Sequence, residues 1–384
     1  MTGAVEVVAG VDIGGTTTQV VLCTADLRVA DRVAVPTPAA EDGRAMTDAA
    51  LDAVRLLLGR TPARLLGVGV GAAGVVDARA GRILVASDSF RDWAGFPVTA
   101  AVREGLGVPA YLENDVNAFL RGEVVGGAAA GEPHVLGMTL GTGVGGALWL
   151  DGRLHDGPNG AAGEIGHVPG FGDLPCTCGG RGHLETLASG RAIAARYAER
   201  VAGSEAEGVG QAGPPHRPEE PGRGQLPGRG RVASQGRESS QGRETSQGRE
   251  TSRGRGAGRA VGLRQAEAGG RVGEVRPGLS GLAVAGLAAQ GDQDALAVYQ
   301  AAGAAVARAI LVTAGLLDVT VCVVGGGVSR AWSLLEPPLL AALAAEPPVS
   351  GHPVRVRLAL LGDDAVAIGA AARARAELGM VSRV

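Results

Sequence analysis

The sequence predicts an α/β protein of two related halves, interrupted by a long low-complexity insertion. Three observations carry that prediction. A strand, glycine turn and strand near the N-terminus recur as a unit in mid-chain, helical and strand periodicities alternate around both copies, and residues 203–279 differ in composition from both flanks.

Residues 5–12 (VEVVAGVD) form an apolar, β-branched run that meets Gly14-Gly15-Thr16 and continues as Gln19-Val20-Val21-Leu22-Cys23, a hairpin whose turn exposes backbone N–H groups. Met46, Ala50, Val54 and Leu57 have helical spacing over 44–58, and Leu65–Val70 reads as a buried strand. Ala110-Tyr111-Leu112 reads as a strand leading into a helix over Asp115–Val125. The opening unit then returns: strand Val135–Leu140, turn Gly141–Gly146, strand Ala147–Leu150. Leu296, Tyr299, Val306 and Ile310 lie on one face of a long helix. After it, strand Val319–Val324 ends in Gly325-Gly326-Gly327 and a helix-like segment. Two copies of one hairpin imply duplicated halves: residues 1–113, completed by a C-terminal helix over 366–384, and residues 114–365.

Residues 203–279 hold 13 Arg and 9 Glu, no aromatic residue, and three copies of Ser-Gln-Gly-Arg-Glu-Ser/Thr between Ser234 and Thr251. Such a stretch has too little apolar surface to build a core and reads as a disordered insertion joining two helices. Lengthening a short connection some fifteen-fold costs about 2 kcal/mol of closure entropy, which the fold can bear.

Composition narrows the function. The apolar share of 45% supports real cores, while 3% aromatics means they are built from Val, Leu, Ile and Ala. A net charge of −3 gives no drive toward nucleic acid. No leader-like N-terminal pattern and no unbroken apolar run of about 18 residues is evident, so the chain reads as soluble and cytoplasmic, with no membrane partner. All 36 basic residues are Arg, so any mechanism that grips phosphate with Lys is excluded. Four cysteines, Cys23, Cys176, Cys178 and Cys322, are too unevenly spaced for a disulfide framework.

Asp12-Ile13-Gly14-Gly15-Thr16-Thr17 combines glycines that admit phosphate oxygens, hydroxyl and N–H donors, and a carboxylate placed to orient a water on Mg²⁺. An ordinary tight turn is the plain alternative. Gly141-Thr142-Gly143-Val144-Gly145-Gly146 formally matches a dinucleotide fingerprint, but that motif requires a following helix and Ala147–Leu150 reads as strand. A second phosphate clamp with Thr142 as side-chain donor accounts for it, and Gly325–Gly327 would suit close approach of an adenosine or be a plain strand–helix turn. Glu113-Asn114-Asp115 stands at a strand–helix junction, where Asp115 could cap the helix or accept a proton from an alcohol, with Asn114 holding that alcohol. His167, Cys176, Cys178 and His183 supply the four ligands of a closed tetrahedral Zn²⁺ site, against the alternative of reduced thiols and incidental histidines. Glu164 and Glu185 flank the cluster and could accept hydrogen bonds from sugar hydroxyls on a metal-braced loop.

Taken in order, DIGGTTTQVVL, GAAG, ENDVNA, LGTGVGG, GEIGH, CTCGGRGHLE, ASGRA and VVGGGVS resemble the ROK family (repressor, open reading frame, kinase), and its bacterial glucokinases in particular. The resemblance spans the chain apart from 203–279 and implies the two-domain actin-like ATPase, ribonuclease H-like fold closing over ATP and a hexose. It implies Asp115 as the catalytic base, Asn114, Glu164, His167 and Glu185 as sugar contacts, and His167 as a Zn²⁺ ligand besides. Cys176 and Cys178 match the first two cysteines of the family's C-x-C-G-x-x-G-C-x-E motif, and His183 stands where its third cysteine is expected. Thr17 replaces a lysine common in relatives, and Asp88 stands where an Asn often touches the sugar. Homodimers or homotetramers are implied as well.

Three functions compete. The first is ATP-dependent phosphorylation of a hexose, glucose first, with another hexose as the alternative. The second is a sugar-sensing regulator of the same family, which expects a helix-turn-helix for which the stretch before Asp12 has no room. The third makes 203–279 an RNA-binding segment, disfavoured because no aromatic residue is there to stack on bases.

Overall fold

The computed structural model describes residues 5–87, 89–210 and 279–380. Among the described residues, those in 5–204 and 279–380 form one compact unit.

The first half runs β1 (Val5–Ile13), β2 (Thr17–Thr24), β3 (Val29–Pro36), α1 (Gly43–Arg60) and β4 (Ala63–Ala72). A small hairpin of β5 (Val75–Asp77) and β6 (Arg82–Val85) leads to α2 (Val98–Leu106), β7 (Ala110–Asn114) and α3 (Asp115–Gly126). The second half runs β8 (Val135–Leu140), β9 (Val144–Leu150), β10 (Arg153–Leu154), α4 (Glu185–Ala188) and α5 (Gly190–Gly210). It continues with α6 (Gly281–Ala289), α7 (Gln293–Leu317), β11 (Val321–Gly325), α8 (Trp332–Ala345), β12 (Arg355–Leu358) and α9 (Ala365–Glu377).

The duplication is explicit in the sheets. One has the order β3-β2-β1-β4-β7 and the other β10-β9-β8-β11-β12. Each is an antiparallel meander of three strands extended by two parallel strands. The central strands are buried on both faces over most of their length and are Val-rich and largely apolar, as parallel strands covered by helices must be. α1 and α2 cover one face of the first sheet, α1 through Met46, Val54 and Leu57 and α2 through Val98 and Val102. On the other face lies α9, whose Ala367, Ile368 and Ala371 meet Val8, Val21 and Cys23. α3 covers the second sheet in the same manner, with Phe119 and Leu120 against Val135, Ala147 and Val321.

α9 approaches its neighbours backbone to backbone. A methyl group at Gly10 would lie 1.8 Å from the Ala367 carbonyl oxygen, one at Gly69 1.8 Å from that of Ala370, and one at Gly369 1.7 Å from that of Ala118 in α3. Gly369→Ala is therefore expected to destabilise the protein by about 2–4 kcal/mol, because backbone must move to admit the methyl. Gly59→Ala, in open space near the end of α1, is the control. It should be neutral or slightly stabilising in the same thermal melt. Equal melting temperatures for the two variants would contradict this packing.

The strands and helices expected at 5–12, 19–23, 44–58, 65–70, 110–112, 115–125 and 135–140 are all present, within a few residues at their ends. The helix before the insertion continues to Gly210, so the first residues of the 203–279 stretch are helical; residues 211–278 lie outside the described residues. α8 carries Pro337 and Pro338 inside it, and Leu335 and Pro338 seat against Gly303 of α7, so packing overrides a strong sequence signal for a break. α7 is long and apolar enough to cross a membrane, with mean hydropathy 1.6, but twelve of its residues, Tyr299 and Ile310 among them, are buried in the second core.

Candidate active site

β7 ends at the point where α3 begins, and the cap at that junction is Asn114. Its Oδ1 accepts from the N–H groups of Val116 at 2.9 Å and Asn117 at 3.1 Å. Its Nδ2 donates to the Gly74 carbonyl at 3.0 Å and to Asp115 Oδ1 at 2.9 Å. Asn114 is thus committed within the protein, and Asp115 is relieved of the capping task. Both bonds to Asp115, from Asn114 Nδ2 and Val116 N–H, fall on Oδ1; Oδ2 accepts none among the described residues. Behind the junction, Glu113 is 2% exposed and clasped by Arg121 of α3 at 2.7 Å and Arg373 of α9 at 3.1 Å. That buried triad locks β7, α3 and α9 together one residue from Asn114.

Four acidic side chains line up in front of this junction. Asp12 closes β1; burial, and after it the Asp115 charge, push its carboxyl up to about 8. Burial pushes Asp115 up to about 6, with the Val116 N–H opposing and Glu164 adding to the rise. Loss of solvation holds the Glu164 carboxyl above its usual range; His167 opposes this and Glu185 adds to it. The order Asp12, Asp115, Glu164, Glu185 is one of like charges acting on one another, which suits a site that takes up cations and hydroxyl donors.

Glu164 and His167 flank a single 3₁₀ turn, Ile165–His167. The glycines of G-E-I-G-H bring that turn onto β9: a methyl at Gly166 would lie 1.9 Å from the Val144 carbonyl oxygen, and Gly163 holds a φ of +91° over Ala147. Glu185 opens α4 and is buried. Its Oε2 accepts from Val144 N–H at 3.1 Å and its Oε1 from the Thr177 hydroxyl at 2.9 Å. A methyl at Gly143 would fall 2.4 Å from Oε2, so that glycine lets the second hairpin reach the carboxylate. Glu185 thereby joins the hairpin to the Cys176–Cys178 loop.

The cysteine and histidine cluster assembles as expected. Ligand atoms of His167, Cys176, Cys178 and His183 all lie within 4.8 Å of one another. Cys176 Sγ is 3.7 Å from His167 Nδ1, and Cys178 Sγ is 3.3 Å from His183 Nδ1. A tetrahedral Zn²⁺ with ordinary Zn–S and Zn–N bonds requires edges of about 3.6 Å, so the donor set fits that ion. The tight C-x-C spacing works because Cys176 N–H bonds the Gly180 carbonyl at 2.9 Å and Gly179 turns with a φ of +87°, folding both thiols to one side.

The two glycine hairpins are present with short turns: Gly14 N–H bonds the Thr17 carbonyl at 3.2 Å, and Gly141 N–H bonds that of Gly143 at 2.9 Å. Gly15, Thr16, Thr17 and Thr142 are exposed. Of the third cluster, Gly325 is buried against the Phe119 ring and Gly326 turns with a φ of +87° over Leu140, while Gly327 faces open space. Gly325 therefore serves packing, and a nucleotide would find Gly326 and Gly327. Asp88 lies outside the described residues. Thr177 lies in CTCGGRGHLE and Arg191 in ASGRA, yet the sequence assigned neither a role: their contacts with Glu185 and Thr142 are made across the fold.

Two duplicated sheets with paired glycine hairpins define a protein of the actin-like ATPase fold. The ROK family model matches residues 8–213 and 267–377 and leaves 214–266 aside, so the chain belongs to the ROK family. It is 36% identical over 197 residues to a glucokinase of Halalkalibacterium halodurans, covering 50% of this chain and 59% of that one. The chain thus spans less than two thirds of that relative's length. It is 32% identical over 209 residues to an N-acetylmannosamine kinase of Citrobacter koseri, covering 52% and 67%. In structure it resembles a ROK family glucokinase of Streptomyces griseus solved with glucose and AMPPNP, at a TM-score of 0.69 and 26% identity, over 97% of this chain and 100% of that one.

Proposed function

We propose that the protein transfers the γ-phosphoryl group of ATP to a hydroxyl of a hexose, with Asp115 as the general base. The observation that carries this reading is the carboxylate at the head of α3: one oxygen is fixed by two hydrogen bonds, the other is unengaged, and burial lifts its pKa to about 6, near the operating range of a base. In the step, the hexose oxygen forms a bond to the γ-phosphorus, the bond to the β–γ bridging oxygen breaks, ADP leaves, and the hydroxyl proton passes to Asp115 Oδ2.

Asn114 positions the base, and Glu164, His167 and Glu185 hold the sugar. Gly14, Gly15, Thr16, Thr17, Gly141, Thr142 and Gly143 offer donors to the phosphates. Asp12 would hold, through water, the Mg²⁺ carried with ATP, which would supply charge neutralisation at the phosphates. Zn²⁺ would be held by His167, Cys176, Cys178 and His183, where its part is to stiffen the loop carrying Glu185. Residues 1–113 with 366–384 and residues 114–365 are the two domains that close to exclude water. The protein acts in the cytoplasm as a homodimer or homotetramer, without nucleic-acid or membrane partners.

Glucose, phosphorylated on its 6-hydroxyl, is the expected substrate, given the likeness to glucokinases. The deciding experiment is coupled ADP release with glucose, mannose, fructose, N-acetylmannosamine and allose. We expect the highest kcat/KM with glucose. A higher value with N-acetylmannosamine would reassign the hexose, and no release above the sugar-free rate with any of them would end the kinase reading.

A further inference from the structure

Arg191 has no part in the reading above, yet it stands against the second glycine hairpin. α5 begins there: Gly190 N–H donates to the Gly141 carbonyl at 2.8 Å, docking the helix on the base of the turn. From the next residue, the Arg191 guanidinium reaches the turn itself and donates through Nε to the Thr142 carbonyl at 3.1 Å. A terminal nitrogen of the same guanidinium forms a loose ion pair with Glu185 Oε1 at 3.8 Å, too long for a hydrogen bond, and the Arg191 side chain is 56% exposed. A guanidinium has five N–H donors in a planar fork. One is spent on Thr142, which fixes the plane of the fork at the hairpin tip and leaves the terminal donors for another acceptor.

The surroundings favour an anion there. The chain has no lysine, so a side chain that meets a phosphate with a permanent positive charge must be an arginine. Asp12, Asp115, Glu164 and Glu185 make the rest of the site acidic, a poor environment for a polyphosphate unless a fixed positive charge stands at the hairpin. Planar guanidinium donors suit phosphate oxygens and keep their charge at every working pH.

We infer that Arg191 is a contact for the phosphate tail of the nucleotide, its guanidinium pre-oriented by the Thr142 carbonyl and its free donors directed to phosphate oxygens. This rests on the kinase reading of the same site. The test is direct titration of the full-length protein with ADP and, separately, with adenosine, for the unaltered chain, Arg191→Gln and Arg191→Lys. Loss of a charge-assisted contact should weaken ADP binding by about 10- to 100-fold in Arg191→Gln. Adenosine binding should stay within about twofold, and Arg191→Lys should recover part of the ADP loss. ADP binding in Arg191→Gln within twofold of the unaltered chain would overturn the inference. So would equal weakening of ADP and adenosine, since that is what a residue merely propping the hairpin would give. If the unaltered chain turns over hexose and ATP while Arg191→Gln binds ADP normally, this inference alone fails. Absence of ADP binding by the unaltered chain would remove the kinase reading and this one together.

Discussion

Asp115→Asn is expected to lower kcat by about 10²- to 10⁴-fold and, at the same time, to raise the melting temperature at neutral pH. Both effects come from one cause. Burial lifts the Asp115 carboxyl from 3.8 to about 6, so at pH 7 the folded protein holds an ionised group that the unfolded chain ionises more readily. A folded-state pKa above the unfolded value means that the contribution favouring the fold is full below about pH 4 and is lost as pH rises through about 6. The cost at pH 7 amounts to about 3 kcal/mol as an upper figure, and the neutral amide escapes it while keeping the hydrogen bonds at the head of α3. In the unaltered protein, the same titration should make kcat/KM fall as pH drops below about 6, because a protonated base accepts no proton. Thermal melts and steady-state rates across pH 5–8 check all three expectations. A variant with near-normal turnover would end the assignment of Asp115, and one with an unchanged melting temperature would show that its charge is not strained.

Removing the metal should have the second large effect. His183→Ala and Cys178→Ser should each abolish stoichiometric zinc in the purified protein, measured by elemental analysis. Chelation of the unaltered chain should raise the KM for the hexose by about tenfold or more. The path runs through Thr177, which stands between the two cysteines and donates to Glu185 at 2.9 Å. When the loop loosens, Glu185 loses that anchor while its bond to Val144 on the second hairpin remains. The KM for ATP should therefore change less than the KM for the sugar. An unchanged metal-to-protein ratio in His183→Ala would show that His183 is not a ligand, and equal changes in both KM values would contradict the path through Thr177.

Most of the fold was legible because each signal was local. The two hairpins, the 44–58 helix and the long helix α7 follow from spacing and turn residues, which neighbours along the chain decide. The helix-like segment expected after Gly327 is present as α8, and it runs on through Pro337-Pro338, whose cost is offset by packing on Gly303 that no local window contains. The site divides in the same way. The Cys176-Thr177-Cys178 turn and the paired histidines were readable from spacing, and their convergence within 4.8 Å agrees with it. At the α3 junction, sequence left open whether Asp115 caps the helix; Asn114 does so, a distinction that depends on which side chain points back over the first turn. The grip of Glu185 on Val144, 41 positions away, and the reach of Arg191 to Thr142, 49 positions away, are tertiary facts with no signature in composition or period.

The seat of α9 has a bearing on how the chain is made. Strands β1 and β4 leave the ribosome long before α9, yet the face they share is covered by Ala367, Ala370 and Ala371, and Gln19 finds its partner Asp364 345 positions later at 2.7 Å. The N-terminal sheet can pair its strands early, but one side stays wet until α9 (Ala365–Glu377) has been made. Native contacts so distant in sequence slow folding, and a half-covered sheet is an aggregation hazard while it waits. Nascent chains halted before residue 365 should therefore need chaperones, and chains extended through residue 377 should regain solubility. In this protein a helix far along the chain, α9, completes the first sheet.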